Sequence, residues 1–531
     1  MKVLRVLSLV IVFWEISCNN HDSRNVVRDT SINAFTSFNN LFLDSAVLHR
    51  FLQNDTVYSS FSQQFSAFYK QRNYEYAWFD SGGIAEQARN FMNLLGNTIQ
   101  ELHDSSLYSP RLNAFYNRFQ STAPGIIHHK DSVLETELML TGQFFQYAAK
   151  VYKGSDVDAS QLGWFIPRKK IELSALLDSV IRSKGERADS FALLNGQYKK
   201  LEAFLPKYFA LQKNASWDSL PGPEKKFQLH DIAPVISSIK KRLFLLGDLT
   251  QKDSTRIFDT ALLAAVKSFQ GRMGLDMDGV IGPKFMDELN IPIQSRIQQI
   301  LVNLERVRWL PPENDSVYIL VNIPEYRLHV YEHGKYKFGM NVIVGTAANS
   351  TVIFTGALKY IVFSPYWNVP VSIVQKEILP GIQKDPNYIA RHNMEITGYS
   401  NGLPVVRQKP GTDNALGLVK FLFPNSYDIY LHDTPNHDLF NQSSRSFSHG
   451  CIRIAQPTRM AEYLLRYDTS WNPVKIDSAM HQPKEHWVTL KQTVPVFIVY
   501  FTAWVDREGR LNFRKDIYGH DAKLAAKLFI R

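Results

Sequence analysis

Two cysteines occur in 531 residues, and one of them, Cys451, stands in the run SFSHGCIRI from Ser446 to Ile454. A free cysteine is most often a small buried apolar residue. Here a polar, turn-forming run precedes the sulfur and Arg453 follows two residues later, conditions that favour a thiolate over a thiol. An ordinary thiol is barely ionised at neutral pH, so a nucleophilic cysteine needs a base or a cation beside it. His432 follows the alternating run YDIYL, at a strand end where a rigid frame would aim its ring. Its second nitrogen then needs an acceptor, and the turn HDTP is rich in backbone carbonyls. The amides of Gly450 and Cys451 can form an oxyanion hole, since glycine permits close approach. Tyr430 alternates onto the face of His432 and could complete the hole or hold a substrate. Arg453 and Arg445 could grip carboxylates as bidentate forks, although Arg453 could equally brace the turn. Asp433, His437 and Asp438 read as loop residues.

The elements around these residues are strands. From about 315 to 480 the pattern alternates, as in SVYILVNIPEYRLHVYEHGKYKFGMNVIVG, broken at His333-Gly334 as a strand pair would be. A longer polar and helical insertion, about 371–414, reads as a lid. The stretch 481–531 reads as a strand-rich C-terminal extension packed on this β-rich domain. Residues 41–226 are mostly helical: Ala88, Phe91, Leu94, Leu95 and Ile99 recur on one helical face, and Tyr76, Trp78 and Phe79 read as core. Residues 228–292 form a compact unit of three helices able to bury its own small core. Ile236, Ile239 and Leu243 line the first, Leu262, Val266 and Phe269 the second, with Gly247 and Gly274 as stops and Pro283 opening the third. The chain is therefore expected to be α+β and multidomain, at about three domains of roughly 100–200 residues.

Composition narrows the class further. Apolar and charged contents of 45% and 21% are those of an ordinary globular protein. A net charge of +10, from 60 basic and 50 acidic residues, is modest for this length and spread along the chain, and gives nucleic-acid binding little support. Residues 1–18 carry Lys2 and Arg5, the apolar run Val6 to Trp14 and then small residues, the layout of a secretory signal. Cys18 follows Ile16-Ser17 and resembles the lipobox cysteine of bacterial lipoproteins, with Glu15 departing from its usual leucine. A lipid on Cys18 would anchor the chain to a membrane, and residues 19–40 read as a tether. Exported proteins normally pair their cysteines. With Cys18 lipidated, Cys451 is left as a lone thiol and a candidate nucleophile.

The run YLHDTPNHDLFNQSSRSFSHGCIRI resembles the signature of the L,D-transpeptidases, whose catalytic fold is called the YkuD domain: a histidine, a variable loop, then Ser/Thr-His-Gly-Cys. SPYWNVP, KDPNYI, RQKPGTDNALG and FYKQRNYEYAWFD resemble the large periplasmic members, and AVKSFQ, GLDMDGVIG and ELN resemble a peptidoglycan-binding domain. The resemblance implies a helical scaffold domain, a peptidoglycan-binding domain and a lidded β-rich catalytic domain. It implies Cys451 as nucleophile, His432 as proton donor and acceptor, His449 in a supporting role and Trp367, within SPYWNVP, among substrate-binding residues. The expected reaction joins peptidoglycan stem peptides by 3→3 cross-links in the periplasm of a Gram-negative-type bacterium, with glycan strands as partner and no cofactor. Hydrolysis by the same site, as an L,D-carboxypeptidase, or attachment of a protein to the wall are the alternatives. A zinc amidase using His432, His437, His449 and Cys451, or a non-catalytic wall-binding protein, are further ones; no HExxH or other regular ligand spacing favours zinc.

Overall fold

The computed structural model describes residues 41–102, 105–120, 130–155, 157–167, 171–184, 196–222, 225–310 and 316–529. The signal-like run, Cys18 and the tether lie outside them. The chain divides into two compact units, one holding the described residues of 1–91, 109–146 and 172–185 and the other the remainder.

The first unit is helical. Its helices include Ser45–Asn54, Ser62–Gln71 and Leu173–Arg182, packed on an aromatic core in which Trp78, Phe91 and Phe144 are fully buried. Neighbouring rings lie 5.3 to 5.5 Å apart, tilted contacts that suit aromatic quadrupoles. Glu137 is buried among them and accepts from the amides of Ala77 and Trp78, at 2.6 and 2.9 Å, and from the Tyr69 hydroxyl. Burial still pushes its carboxyl up to about 7.

In the second unit, α1 (Pro234–Leu246), α2 (Thr260–Met273) and α3 (Pro283–Asn290) bury Ile236, Ile239, Leu243, Leu262, Val266 and Phe269. Gly247 and Gly274 end the first two helices at φ 93° and 71°, the left-handed closure that glycine adopts without strain. This core is not self-contained. It runs through α4 (Ile293–Arg308) into the core of the strands that follow. Buried Arg272 ties α2 to Asp248 and to the carbonyl of Leu511 at 2.6 Å, while Arg514 returns bonds to the α2 carbonyls of Arg272 and Gly271.

The strands that build and flank the site are β1 (Tyr318–Asn322), β2 (Arg327–Glu332), β3 (Lys335–Gly345), β4 (Ile353–Phe363), β5 (Trp367–Asn368), β6 (Met394–Ser400), β7 (Leu403–Gln408), β8 (Val419–Leu422), β9 (Leu431–His432), β10 (Ser446–Ser448), β11 (Ile452–Ile454) and β12 (His486–Val499); Ala503–Val505 and Leu511–Phe513 pair separately. Among the described residues eight of them close a ring in the order β8, β9, β11, β3, β2, β1, β12, β4 and back to β8, which leaves none of the eight as a bare edge. The alternation decides the faces. Phe421, Leu431, Ile452 and Ile361 share one face and join the core, so their sequence neighbours Lys420, His432, Arg453 and Val362 share the other. His333-Gly334 forms the β2–β3 turn with both φ positive.

Two expectations are corrected. Residues 486–499 are not an addition to the β-rich domain; β12 is one of its strands, parallel to β1 and antiparallel to β4. Its apolar run VPVFIV needs both neighbours and the core behind them. The insertion is also only half helical. After short helical turns from Val371 to Arg391, β6 and β7 form a hairpin across Asn401-Gly402, both at positive φ, and β7 pairs with β5. That dipeptide is a strong hairpin signal. The insertion has a small core of its own, made by Val369, Ile373, Val374, Ile378, Met394 and Val406.

Candidate active site

The site is built on the outer face of β9 and β11. These strands run parallel, with Leu431 level with Ile452 and His432 level with Arg453. The Ile452 amide donates to the Tyr430 carbonyl at 3.1 Å, which continues the register to Tyr430 beside Cys451. Parity then sets Tyr430, His432, Cys451 and Arg453 on one face, and Cys451 is the diagonal neighbour of His432, a separation of roughly 7–8 Å between backbones that side chains can bridge. On the other side, Lys420 of β8 is level with His432.

His432 is 4% exposed. Its Nδ1–H donates to the Asp433 carbonyl at 2.5 Å, so the neutral ring keeps its lone pair on Nε2. Burial, then the Arg453 guanidinium, lowers its pKa to about 3; the Asp433 and Leu416 carbonyls pull the other way and Lys420 adds to the fall. The imidazole is thus a free base across the neutral range. Cys451 is half-buried, with Sγ 3.5 Å from the Asp428 carbonyl. Burial pushes its thiol up, against the Tyr430 backbone and hydroxyl donors, which lower it. The surroundings expected to favour a thiolate therefore hold a resting thiol beside a neutral imidazole, because desolvation outweighs the nearby cation.

A hydrogen-bonded clamp shapes the turn before the sulfur. Ser448 Oγ donates to the Cys451 carbonyl at 2.5 Å and accepts from the Gly450 amide at 3.2 Å. Thr351 Oγ1 donates to the Gly450 carbonyl at 2.8 Å, and the Gly345 amide donates to Thr351. From the C-terminal segment, the Tyr518 hydroxyl donates to the Gly345 carbonyl at 2.6 Å. Gly450 has φ 118°, a conformation that a side chain would strain.

The remaining expected residues divide. The Gly450 amide is engaged by Ser448, so it is not the open oxyanion donor expected; the Cys451 amide has no hydrogen-bond partner among the described residues. Arg445 is no substrate fork: its three nitrogens donate to the carbonyls of Val342, Gln442 and Tyr326, and burial lowers its pKa to about 10. Arg453 makes no ion pair among the described residues, and its Nε is buried without a partner. His449 points outward, 3.6 Å from Glu377 of the insertion. Trp367 packs against the insertion's own core. Lys420, Thr351 and Tyr518 are not singled out in the sequence, and Ser448 enters only as the first position of the Ser-His-Gly-Cys motif; a lysine in the apolar run GLVKFLF is the one signal that marks Lys420.

Residues 316–476 match the family model described as "L,D-transpeptidase catalytic domain", residues 63–205 the "Scaffold domain" and residues 233–289 the "Putative peptidoglycan binding domain". A protein of Haemophilus influenzae named "Putative L,D-transpeptidase" is 34% identical over 243 residues, which is 43% of this chain and 49% of that protein. The chain thus spans about half the length of that curated relative. Two solved structures are similar. An L,D-transpeptidase from Stackebrandtia nassauensis is 15% identical, covering 53% of this chain and 97% of its own, with a TM-score of 0.22. One from Mycobacterium smegmatis is 14% identical, covering 36% and 60%, with a TM-score of 0.20. At these TM-scores neither superposition defines a geometry for the site. Among the described residues no three His, Cys, Asp or Glu side chains converge as a metal site, and no helix is long and apolar enough to cross a membrane.

Proposed function

From a chain that carries an L,D-transpeptidase catalytic domain of the YkuD type, we propose a peptidoglycan L,D-transpeptidase that forms 3→3 cross-links through a thioester on Cys451. The supporting observation is the parallel β9–β11 register, which sets Cys451 diagonal to a neutral His432 whose Nδ1 is tied to a carbonyl. The Cys451 sulfur attacks the carbonyl of the third residue of a tetrapeptide stem as its proton passes to His432 Nε2. The bond to D-alanine breaks, and the amine leaves with the proton that His432 returns. The amine of a second stem then attacks the thioester, giving its proton to His432 and releasing the thiol. The Cys451 amide and the Tyr430 hydroxyl stabilise the oxyanion, and Arg453 takes the terminal carboxylate of the donor. The insertion, 371–414, covers the site and limits water. The steps as written draw on no metal or organic cofactor.

Incubation of the purified protein with tetrapeptide-bearing muropeptides tests this reading. A Cys451 acyl-enzyme by intact mass, followed by 3→3 dimers, is the expected result. Release of D-alanine with no dimers would make the protein a carboxypeptidase, and no acyl-enzyme at all would overturn the reading.

The same reading places the chain in the periplasm, held to a membrane through a lipid on Cys18. Intact mass of the mature protein from membranes should show a diacylglyceryl group there; an unmodified, soluble chain would refute the anchor.

A further inference from the structure

The outer-face row that holds His432 continues away from Arg453. Lys420 on β8, Val362 on β4 and Trp487 on β12 follow in direct register. Trp487 is 50% exposed, with Tyr360 at 5.9 Å edge-on and Lys420 Nζ 5.6 Å from its ring centre. The plate is therefore held in place on one side and open to solvent on the other. Lys420 is half-buried, and among the described residues no carboxylate lies within ion-pairing distance. Glu485 acts on it only from farther away. Arg453, on the other side of His432, is likewise unpaired. A partly desolvated cation without an ion partner is costly unless a ligand supplies the anion. An exposed indole with the Lys420 ammonium beside it offers an apolar plate to a polar ligand.

Resting on the reading above, we propose that Trp487 and Lys420 form a subsite for the glycan-proximal half of the donor. The sugar that bears the stem stacks on Trp487, and the free carboxylate of the second stem residue pairs with Lys420. The spacing fits. Adjacent strands lie about 4.8 Å apart, so Lys420 is one spacing, and Trp487 three spacings or about 14 Å, from His432. Three extended stem residues reach about 10–11 Å from the attacked carbonyl, and the side-chain linkage of the second residue lengthens the path toward the sugar. The donor then crosses the strands with one polarity: its terminal carboxylate at Arg453, its reacting carbonyl between Cys451 and His432, its sugar over Trp487. A weakly bound stem is thereby read at both ends.

The test compares second-order rates of Cys451 acylation, by intact mass, for three donors. These are a disaccharide-tetrapeptide, the same tetrapeptide without sugar, and a tetrapeptide whose second-residue carboxylate is amidated. Wild type is expected to prefer the disaccharide form and the free carboxylate. Trp487→Ala should cut the preference for sugar about tenfold, while Trp487→Phe keeps most of it. Lys420→Met should cut the preference for carboxylate over amide about tenfold. An unchanged sugar preference in Trp487→Ala overturns the stacking assignment, and an unchanged carboxylate preference in Lys420→Met overturns the pairing. If no stem donor acylates wild-type Cys451, the transpeptidase reading falls and the subsite with it.

Discussion

The most exposed consequence of the geometry is the acid limb of the acylation reaction. His432 is buried and flanked in register by Lys420 and Arg453, which places its pKa at about 3 instead of the ordinary 6.5. Three mechanisms then give three different rates at pH 5 relative to pH 7.5. If the base were an ordinary histidine, about 3% of it would be neutral at pH 5, and acylation would fall about thirtyfold. If the attacking species were a preformed thiolate with no base, its population would fall tenfold per pH unit, or about 300-fold over the interval. With His432 near pKa 3 and a thiol that ionises only as it attacks, about 99% of the base remains neutral at pH 5, and the rate changes by less than about twofold. Stopped-flow acylation by a chromogenic β-lactam probe, with the acyl-enzyme confirmed by mass, reads this directly between pH 4.5 and 8. Replacing Arg453 with Gln removes the main cation beside the ring, and the limb should then move upward. A limb of unit slope centred near 6.5 in the wild type would refute the assignment of a neutral, cation-flanked base.

Further outcomes follow from the same residues. His432→Gln should lose about 10²–10⁴-fold in acylation rate at neutral pH, with partial recovery in alkali as the thiol ionises unaided; His449→Gln should show no such recovery, and the reverse pattern would identify His449 as the base. His432 also opposes folding in acid: its folded pKa lies below its unfolded value, so the unfolded chain binds more protons and stability falls as pH drops from 6.5 toward 3. Chemical denaturation at pH 7.5 and pH 4 should show wild type losing up to about 3 kcal/mol more than His432→Gln; equal losses would contradict the burial argument. Thr351→Val strands the Gly450 carbonyl and should cost about 1–3 kcal/mol, seen as a lower Tm together with slower acylation. Gly450→Ala meets nothing nearer than the Asn349 carbonyl at 3.9 Å, so its cost is the strained φ alone, about 1–2 kcal/mol; a Tm matching wild type would show that the turn relaxes.

The alternation and the turn residues were legible in the chain because they are local. Gly247 and Gly274 close their helices and Ser448 to Arg453 stand together in one run, but the alternation of YDIYL misleads: only Leu431 and His432 are strand, with Tyr427 in a turn and Asp428 at φ 53°. Asn401-Gly402 is equally local, but a polar and helical reading of the insertion overlooks its hairpin. What the sequence could not contain is register across the sheet. Lys420, His432 and Arg453 become one row only because β8, β9 and β11 pair without a slip, and a shift of one residue would turn all three into the core. The same holds for the clamp on the catalytic turn: Tyr518 reaches Gly345, Thr351 reaches Gly450 over 99 positions, and no periodicity signals such a contact. The charge state of the site was misjudged for this reason. A polar turn before Cys451 and Arg453 two residues after it suggest a thiolate, but burial is a property of the closed ring of strands. That desolvation holds His432 neutral and Cys451 protonated.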